Sequence, residues 1–540
     1  MKDISSTGSF INFYLNNYIY VDKTKYIRDL IKLERVFISR PRRFGKSLTL
    51  DTIATLFETG VEPYFKGTWI YDKWTEPTYP VLRLNFLDLD KYSLEHFKQK
   101  LNAIISSFAR DINVKNYEEK VEPEDTIYFL LDELRKEKRQ IVILIDEYDC
   151  QMTANINNET LYKQFQEKIK SFYATIKNKW PIKFLGITGV TRLKDVEIFS
   201  IGSDIRDITN ASAYSQMIGF TRDEIKKYYI DYLKLASSYE NNCSVDNVTD
   251  EQIESLLDRL AKNYDGYCFD EFYKKKVFST WSVNSFFQSI IENKFVDFGE
   301  YWYDNGGLPS ILVNYLKTQE LNIFDYLDKD KSLKVTDDDF KNPTALTSMN
   351  QNVLMCQTGY LTLRSSLNDS NIIALGIPNG EIYKALNKLL AAKFFKGTID
   401  VTNDANENIL DVGSVEDIIS LLNTMVNTVT YDTYPLNSES AVQNYVKAYL
   451  LGAKQTVSSE VHQAKGRADL MIETNKRRIV FEFKYAQNET EAKIKLNEAV
   501  EQIKTRDYGN ILPKKAELLR IAAVFNADPK VRAFTLSQQV

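Results

Sequence analysis

Residues 36–50 read VFISRPRRFGKSLTL, and this stretch predicts how the first part of the chain folds. A short apolar run is followed by a basic turn, and Gly45, Lys46 and Ser47 then open a segment that reads as a helix. This order is typical of a phosphate-binding loop, where backbone N–H groups hold an anion, a lysine reaches the outer phosphates and a hydroxyl ligates Mg²⁺. The usual pattern, G-x-x-x-x-G-K-[ST], has glycine at the position of Arg40, and arginine turns less freely there. Taken alone, the stretch also fits a basic surface turn before a helix.

The composition is that of a soluble globular protein with several domains. A length of 540 residues suggests three or four domains of roughly 150 residues each. The net charge is −5, so any nucleic-acid-binding groove must be a local feature. Four scattered cysteines without metal-ligand spacing indicate reduced thiols and a cytoplasmic protein. The chain starts without the apolar core of a signal peptide, and no run of about 18 apolar residues predicts a membrane span.

A second stretch supports the phosphate-binding interpretation. Residues 140–145 (QIVILI) predict a strand buried on both faces of a parallel sheet, and the strand delivers Asp146 and Glu147 at its carboxyl end. Downstream of a phosphate loop, the aspartate can hold Mg²⁺ and the glutamate can polarise the attacking water. Without that loop, the pair could equally cap the next helix. Another strand is expected between the two motifs, at 80–87.

The next predicted strand, at 182–187, ends in polar residues. Thr188 at this strand end could sense a γ-phosphate, and Arg192 could stabilise its charge in the same chain or a neighbouring one. A capped turn with a surface arginine fits the same residues.

Five motifs in order carry a resemblance to a known family. They are YVDKT at 20–24, RPRRFGKSL at 40–48, ILIDEYD at 143–149, ITGVTR at 187–192 and IGFT at 218–221. Together they resemble the predicted AAA-ATPase-like family, which is common in bacteria and typically has an arginine where Arg40 stands. The resemblance implies ATP and Mg²⁺ binding at Lys46, Ser47 and Asp146, with Ser47 and Asp146 on the metal. The strand-end residues Glu147 and Arg192 are the candidate catalytic residues. The residues assigned to the nucleotide are Arg40, Pro41, Arg42, Arg43, Phe44, Gly45, Lys46, Ser47, Asp146 and Thr188.

A different constellation of charged residues follows near the carboxyl terminus. In the predicted strand at 479–484 (IVFEFK), the period of two places Glu482 and Lys484 on one face. If this strand pairs with the preceding one in a hairpin, Asp469 can converge with them. Two carboxylates and the intervening backbone carbonyl can bind Mg²⁺, and the lysine can orient a water or stabilise developing phosphorane charge. A solvent-facing salt bridge is the alternative interpretation.

The surrounding pattern, GRADLMI, FEFK and a helix ahead of Tyr508, resembles the PD-(D/E)XK nuclease superfamily over about 430–540. Ala468 stands at the position of the motif's proline. The resemblance implies Glu439 as the helix acid, which is also a candidate metal ligand. It further implies Asp469 and Glu482 as metal ligands, Lys484 as the catalytic lysine, Gln502 as a supporting polar residue and Glu460 as an additional acid. His462 is expected to be a surface histidine.

The sequence therefore predicts an α/β protein with a parallel-sheet P-loop ATPase, a helical lid or accessory region and an α/β nuclease-like domain. The expected boundaries are 1–225, 226–345 with its aromatic residues in a core, 346–429 as a connection that includes strands and turns at 350–385, and 430–540. We expect an ATP-binding and ATP-hydrolysing protein whose Mg²⁺-dependent nuclease-like domain acts on DNA, without a membrane, and which could form a homo-oligomer. The alternative is a nucleotide-switched binding or signalling module whose inactive nuclease-like domain docks nucleic acid or protein.

Overall fold

The structure is a computed structural model that describes residues 1–193, 204–304, 311–312, 315, 325–326, 328–343, 345–366, 371–394, 409–427, 436–452, 456–463, 466–474, 476–510 and 517–540. The chain divides into two compact units. The first contains Met1–Leu321 and Asp330–Ile382, and the second contains Asn322–Lys329 and Tyr383–Val540. The finer four-part division stays a prediction.

The described part of the chain contains both helices and strands, which are numbered in chain order. The helices are α1 (Phe10–Leu15), α2 (Thr24–Ile31), α3 (Lys46–Thr59), α4 (Leu94–Asp111), α5 (Pro123–Lys136), α6 (Cys150–Ala154), α7 (Glu159–Ile176), α8 (Arg222–Tyr228), α9 (Ile230–Glu240), α10 (Asp250–Tyr264), α11 (Thr280–Asn293), α12 (Tyr301–Asp304), α13 (Asp337–Lys341), α14 (Gln351–Gln357), α15 (Gly380–Phe394), α16 (Val415–Asn427), α17 (Glu439–Gly452) and α18 (Glu489–Arg506). The strands are β1 (Arg35–Ser39), β2 (Val81–Asn85), β3 (Ile141–Asp146), β4 (Ile182–Gly189), β5 (Arg206–Asp207), β6 (Tyr267–Cys268), β7 (Lys276–Val277), β8 (Leu333–Thr336), β9 (Thr362–Ser366), β10 (Ile372–Gly376), β11 (Thr456–Gln463), β12 (Gly466–Glu473), β13 (Arg477–Ala486), β14 (Glu517–Asn526) and β15 (Ala533–Gln539). None of these described helices is long and apolar enough to cross a membrane.

The main sheet of the first unit is parallel, in the order β2-β3-β4-β1-β5. Strand β1 is buried along its whole length and β3 along all but its last residue, as the apolar runs in the sequence predict. Because the strands are parallel, the carboxyl ends of β1, β3 and β4 meet at one edge, where ligands bind in open α/β sheets. The predicted P-loop architecture is therefore confirmed.

The expected strand at 80–87 is shorter than predicted. The side chain of Asn85 accepts a hydrogen bond from the N–H of Leu87 at 3.1 Å, and a 3₁₀ turn at Phe86–Asp88 replaces the end of the strand.

The expectation of strands and turns from 350 onward is also wrong at its start. Asn350 caps α14 by accepting from the N–H of Asn352 at 2.9 Å, which favours a helix there.

A helical cluster follows the parallel sheet in the first unit. Its core packs α8 to α11 together and is rich in aromatic residues, including Tyr229, Tyr232, Phe286 and Phe287. The rings of Tyr229 and Phe287 stack with centroids 5.2 Å apart. The prediction that the aromatics of this region form a core is confirmed. A three-stranded antiparallel sheet, β8-β10-β9, completes this unit.

The second unit contains a mixed sheet in the order β11-β12-β13-β14-β15. Its first three strands form antiparallel hairpins, whereas β13 and β14 are parallel and α18 lies between them in the chain. The helix packs on the sheet through Ala499 and Ile503, which contact a core containing Ala468 and Val480. Glu460 and His462 lie on β11, but their side chains are outside the described residues.

Candidate functional site

The predicted phosphate loop connects β1 to α3. Two of its residues, Arg43 with φ +69° and Gly45 with φ +101°, adopt left-handed backbone conformations. Glycine adopts this region without cost, and such residues turn successive N–H groups toward a concave face that suits anions. The ammonium of Lys46 donates to the carbonyl oxygens of Arg40 at 3.1 Å and Pro41 at 3.3 Å, so the loop folds around the lysine.

The strand-end acids lie against this loop. The hydroxyl of Ser47 donates to Oδ2 of Asp146 at 2.6 Å, and the hydroxyl of Thr188 donates to Oδ1 of the same carboxylate. The ammonium of Lys46 lies 3.4 Å from Oε1 of Glu147. The structure thus brings together a serine hydroxyl, two acids, a threonine and a lysine from three segments of the chain. An oxygen-rich cluster of this kind fits Mg²⁺ beside a phosphate.

A cavity of about 380 Å³ opens beside the loop. Its walls are residues 5–8, the loop and first turns of α3 at 42–49, residues 217–220, and Thr280 and Trp281 at the start of α11. The volume lies in the range of small-ligand and cofactor sites. Glu147 lines the cavity as well, so the predicted catalytic acid faces the same space as Lys46.

Arg40 does not line this cavity. Its guanidinium is fully buried, donates to the carbonyl oxygens of Ser39 and Thr209, and lies 4.2 Å from the ring centroid of Phe269. Burial lowers the pKa of Arg40 to about 9. The side chain that replaces the expected glycine therefore packs inside the protein, away from the space beside Lys46. Arg40 and Pro41 both line a smaller pocket, which we call the inner pocket and which also contains Thr209 and Phe269.

Arg192 is also placed elsewhere. Its Nε lies 2.5 Å from Oδ2 of Asp207, and its backbone N–H donates to Oε1 of Gln357 at 3.1 Å. It lines the inner pocket together with Arg40 rather than the cavity beside Lys46. The structure therefore does not bring Arg192 to the other predicted nucleotide residues, and its catalytic role stays a prediction.

Several residues that support the loop were missed by sequence reasoning. The guanidinium of Arg43 donates to the carbonyl oxygens of Tyr301 at 2.9 Å and Trp302 at 3.1 Å, and it lies 4.8 Å from the ring of Trp281. The carbonyl of Arg43 accepts from the hydroxyl of Thr280 at 2.9 Å. These partners lie more than 230 positions away, and no local pattern marks them.

The motifs YVDKT and IGFT meet through a buried ion pair. The ammonium of Lys23 lies 2.6 Å from Oε2 of Glu224, which also closes a capping box with Thr221 at the start of α8. Asp22 accepts hydrogen bonds from the N–H groups of Thr24 and Trp69. Both motifs therefore shape a wall of the cavity, since Lys23 and residues 218–220 line it.

The second candidate site lies on the β12–β13 hairpin. Leu470 pairs with Phe481, and this antiparallel register places Asp469 beside Glu482. Oδ2 of Asp469 accepts from the N–H of Phe483 at 2.8 Å. The ammonium of Lys484 donates to Oε1 of Glu482 at 2.8 Å. The predicted convergence of the two acids and the lysine is therefore what the hairpin produces.

Glu439, the first residue of α17, approaches the same group, with Oε1 3.8 Å from the Lys484 ammonium. Glu482 is fully buried, and burial, reinforced by the charge of Asp469, raises its pKa to about 7 against the opposing effect of Lys484. Burial has the largest single effect on Lys484 and lowers its pKa, but the hydrogen bond to Glu482 together with the negative charges of Glu482, Glu439 and Asp469 raises the pKa overall. Shifted pKa values in a group of neighbouring charged residues are common at catalytic and binding sites.

Oε2 of Glu482 is buried and has no hydrogen-bond partner among the residues that the structure describes. A buried carboxylate oxygen without a partner is costly unless a cation completes the site, so these residues fit a divalent cation such as Mg²⁺.

On α18, Gln502 and Arg506 both donate to the hydroxyl of Tyr508, at 3.3 and 2.9 Å. The supporting role of Gln502 at the site stays a prediction, and the contact of Arg506 with Tyr508 was not anticipated.

Comparisons with known proteins match two families along this chain. The family model described as predicted AAA-ATPase matches residues 5–199, and that of the PD-(D/E)XK nuclease superfamily matches residues 437–534. The chain therefore carries an AAA-ATPase-like domain followed by a PD-(D/E)XK nuclease superfamily domain.

A curated relative from Azotobacter chroococcum mcd 1, described as an uncharacterized protein in the vnfD 5′ region, is 24% identical over 95% of this chain and 94% of its own. Two solved structures are also similar. CDC6P from Pyrobaculum aerophilum covers 68% of this chain and 93% of its own at 12% identity and a TM-score of 0.25. The Aeropyrum pernix ORC1 protein in complex with DNA covers 71% of this chain and 98% of its own at 9% identity and a TM-score of 0.27.

Proposed function

We propose that this protein binds and hydrolyses ATP at the loop cavity and cleaves phosphodiester bonds of DNA at the β12–β13 site. The observation that carries the nuclease assignment is the buried, partnerless Oε2 of Glu482 beside Asp469 and Lys484. Within the ATPase-like domain, the Ser47–Asp146 hydrogen bond at 2.6 Å supports the nucleotide assignment.

At the first site, each residue has a role that its position supports. The N–H groups of the loop and the ammonium of Lys46 hold phosphate oxygens once the lysine releases the carbonyls of Arg40 and Pro41. Ser47 and Asp146 hold the Mg²⁺ that accompanies the nucleotide, and Thr188 fixes the orientation of the Asp146 carboxylate. Glu147, in contact with Lys46, orients the attacking water.

At the second site, Asp469 and Glu482 hold Mg²⁺, and Glu439 is placed to assist them. The N–H of Phe483 fixes the orientation of Asp469. The bound metal supplies positive charge for the scissile phosphate. Lys484 holds a proton close to the carboxylates, where it orients a water or stabilises negative charge developing on phosphate oxygen.

The decisive experiment incubates the purified full chain with Mg²⁺ and either plasmid or single-stranded DNA, with and without ATP. We expect the unmodified protein to cut, and Glu482→Gln and Lys484→Ala to be inactive. Lys493→Ala is a matched control, because Lys493 is an exposed lysine on α18 outside the cluster. Absence of cleavage by the unmodified protein on every substrate would contradict the nuclease assignment.

One observation favours the alternative function, a nucleotide-switched module with an inactive nuclease-like domain. Among the residues whose positions the structure describes, no three acidic, histidine or cysteine side chains form a group that could hold a metal. If Mg²⁺ leaves the melting temperature unchanged while DNA still binds without being cut, the second unit acts by docking.

A further inference from the structure

The first unit contains a second large cavity, of about 390 Å³. It lies between α1, residues 18–22, a turn at 64–68 and residues 227–232. We call it the tyrosine groove. Phe13, Ile19 and Tyr20 line both this groove and the cavity beside the phosphate loop, so one thin wall separates the two spaces. None of the residues predicted to bind the nucleotide lines the groove.

Tyrosines dominate the lining. They are Tyr14, Tyr18, Tyr20, Tyr64, Tyr228 and Tyr232. Tyr14 is 43% exposed, and its ring meets that of Tyr64 edge-on with centroids 5.6 Å apart. Tyr232 is buried and its hydroxyl donates to the carbonyl oxygen of Lys2, and the ammonium of Lys227 lies 4.9 Å from the ring centroid of Tyr228. The partly exposed rings of Tyr14, Tyr18 and Tyr64 present flat apolar faces with hydroxyls at their edges, and they favour a planar ligand that carries polar groups.

The charged residues of the groove add a second requirement. Lys2, Lys66 and Lys227 line it, and in the described part of the chain none of them forms an ion pair. Two aspartates lie there as well. Both carboxylate oxygens of Asp22 already accept backbone N–H groups, from Thr24 and Trp69, and the carboxylate of Asp231 lies 3.8 Å from the amino-terminal ammonium of Met1. The lysines are therefore the charges available to a ligand, which favours an anion over a cation.

We propose that the tyrosine groove binds a nucleobase joined to a phosphate, with the base against the tyrosine rings and the phosphate near the lysines. Aromatic side chains interleaved with basic ones bind this chemistry because every base has a face that stacks and every phosphate a negative charge. The ligand is either a free mononucleotide or one nucleotide of a single strand. The proposal does not depend on catalysis at either of the other two sites.

Photo-cross-linking tests the groove directly. The full chain carrying Lys46→Ala and Glu482→Gln, which disable the loop cavity and the β12–β13 site, is irradiated with an oligothymidylate containing 4-thiothymidine or with 4-thiouridine monophosphate. Mass spectrometry then locates the cross-linked peptides. We expect cross-links on the peptides that contain Tyr14, Tyr18 or Tyr64. Labelling by the oligonucleotide alone identifies a strand, and labelling by the monophosphate identifies a free nucleotide.

Substitutions give the second readout. Because stacking on one aromatic side chain contributes about 1–3 kcal/mol per base, Tyr64→Ala should reduce the affinity of the labelled ligand at least about fivefold. Lys66→Ala, an exposed position that does not threaten folding, should weaken binding in a salt-dependent way. Tyr92→Ala and Lys100→Ala are matched controls at exposed positions outside the groove. Cross-links confined to other peptides, or unchanged affinity in Tyr64→Ala and Lys66→Ala, would overturn the proposal.

Discussion

The ammonium of Lys484 lies 2.8 Å from Oε1 of Glu482, on the same face of β13, while the other oxygen of that buried carboxylate has no partner. A lysine that was only a surface salt-bridge partner would pair with an exposed acid. Here the acid is buried and the lysine itself is mostly buried. The pair therefore lies where a metal and a phosphate could join it.

The first prediction concerns this lysine. Lys484→Gln should reduce DNA cleavage roughly 10²- to 10⁴-fold, since a positioned proton-bearing group contributes about that much. DNA binding, measured by fluorescence anisotropy, should stay within about twofold, because one contact among several phosphate contacts is lost. Lys493→Gln should leave both quantities unchanged. Full cleavage by Lys484→Gln would show that the lysine has only a structural role.

The second prediction concerns the loop lysine Lys46 and the neighbouring acid Glu147. Lys46→Ala should abolish ATP hydrolysis, because the ammonium that contacts the outer phosphates is lost. Glu147→Gln should keep ATP binding, followed with a fluorescent ATP analogue, but reduce turnover roughly 10²-fold or more. Lys100→Ala serves as an exposed control. Unchanged turnover in Lys46→Ala would place the ATP site elsewhere.

The third prediction is a pH dependence of stability that arises from Glu381. Its carboxylate is almost fully buried and accepts from the hydroxyl of Ser282 at 2.7 Å and the N–H of Trp302 at 2.8 Å. Burial raises its pKa to about 7, against the opposing effect of these two hydrogen bonds. Since the folded state binds this proton more tightly than the unfolded state, the contribution is fully present below about pH 4.5 and is lost as the pH rises through 7.

Glu381→Gln keeps the hydrogen-bonding shape without the titrating proton. The loss of stability between pH 5 and pH 8.5 should therefore be smaller in the variant, by about 2–3 kcal/mol at most. Melting temperatures measured across this range provide the test. Glu292→Gln, on the exposed side of α11, should follow the unmodified protein. Parallel curves for Glu381→Gln and the unmodified protein would mean that Glu381 is ionised throughout.

The fourth prediction tests the buried pair that joins the two distant motifs. Burial lowers the pKa of Lys23, and Glu224 opposes that effect. Lys23→Met should destabilise the protein by about 1–3 kcal/mol, because it leaves the partly buried Glu224 carboxylate without its cation. Adding Glu224→Gln should recover part of this loss in chemical denaturation. Strictly additive single and double variants would show that the two side chains do not interact.

Local patterns predicted the parts of the fold that depend on neighbouring residues. Apolar runs identified β1, β3 and β4, and the strand period of two placed Glu482 and Lys484 on one face. The hairpin then brought Asp469 to them, which required only that adjacent strands pair. The strand β2 was predicted but ends earlier than expected, and the helix α14 was missed, because single side-chain caps from Asn85 and Asn350 determine where those elements end or begin.

Side chains whose partners are distant in sequence could not be predicted. Nothing near Arg40 indicates that its guanidinium turns inward toward Phe269, and nothing near Arg192 indicates its pairing with Asp207. Both arginines lie in a motif associated with phosphate, so their charge suggested a ligand. Tertiary packing, which the local sequence does not encode, gave each of them a protein partner instead.

Arg43 belongs to the phosphate loop, yet its guanidinium and its carbonyl both bond outside it, to α12 and to the first residue of α11. A change of backbone conformation at this residue would strain its bonds to the first residue of α11 and to α12. The backbone conformation of the loop is therefore coupled through Arg43 to the placement of α11 and α12.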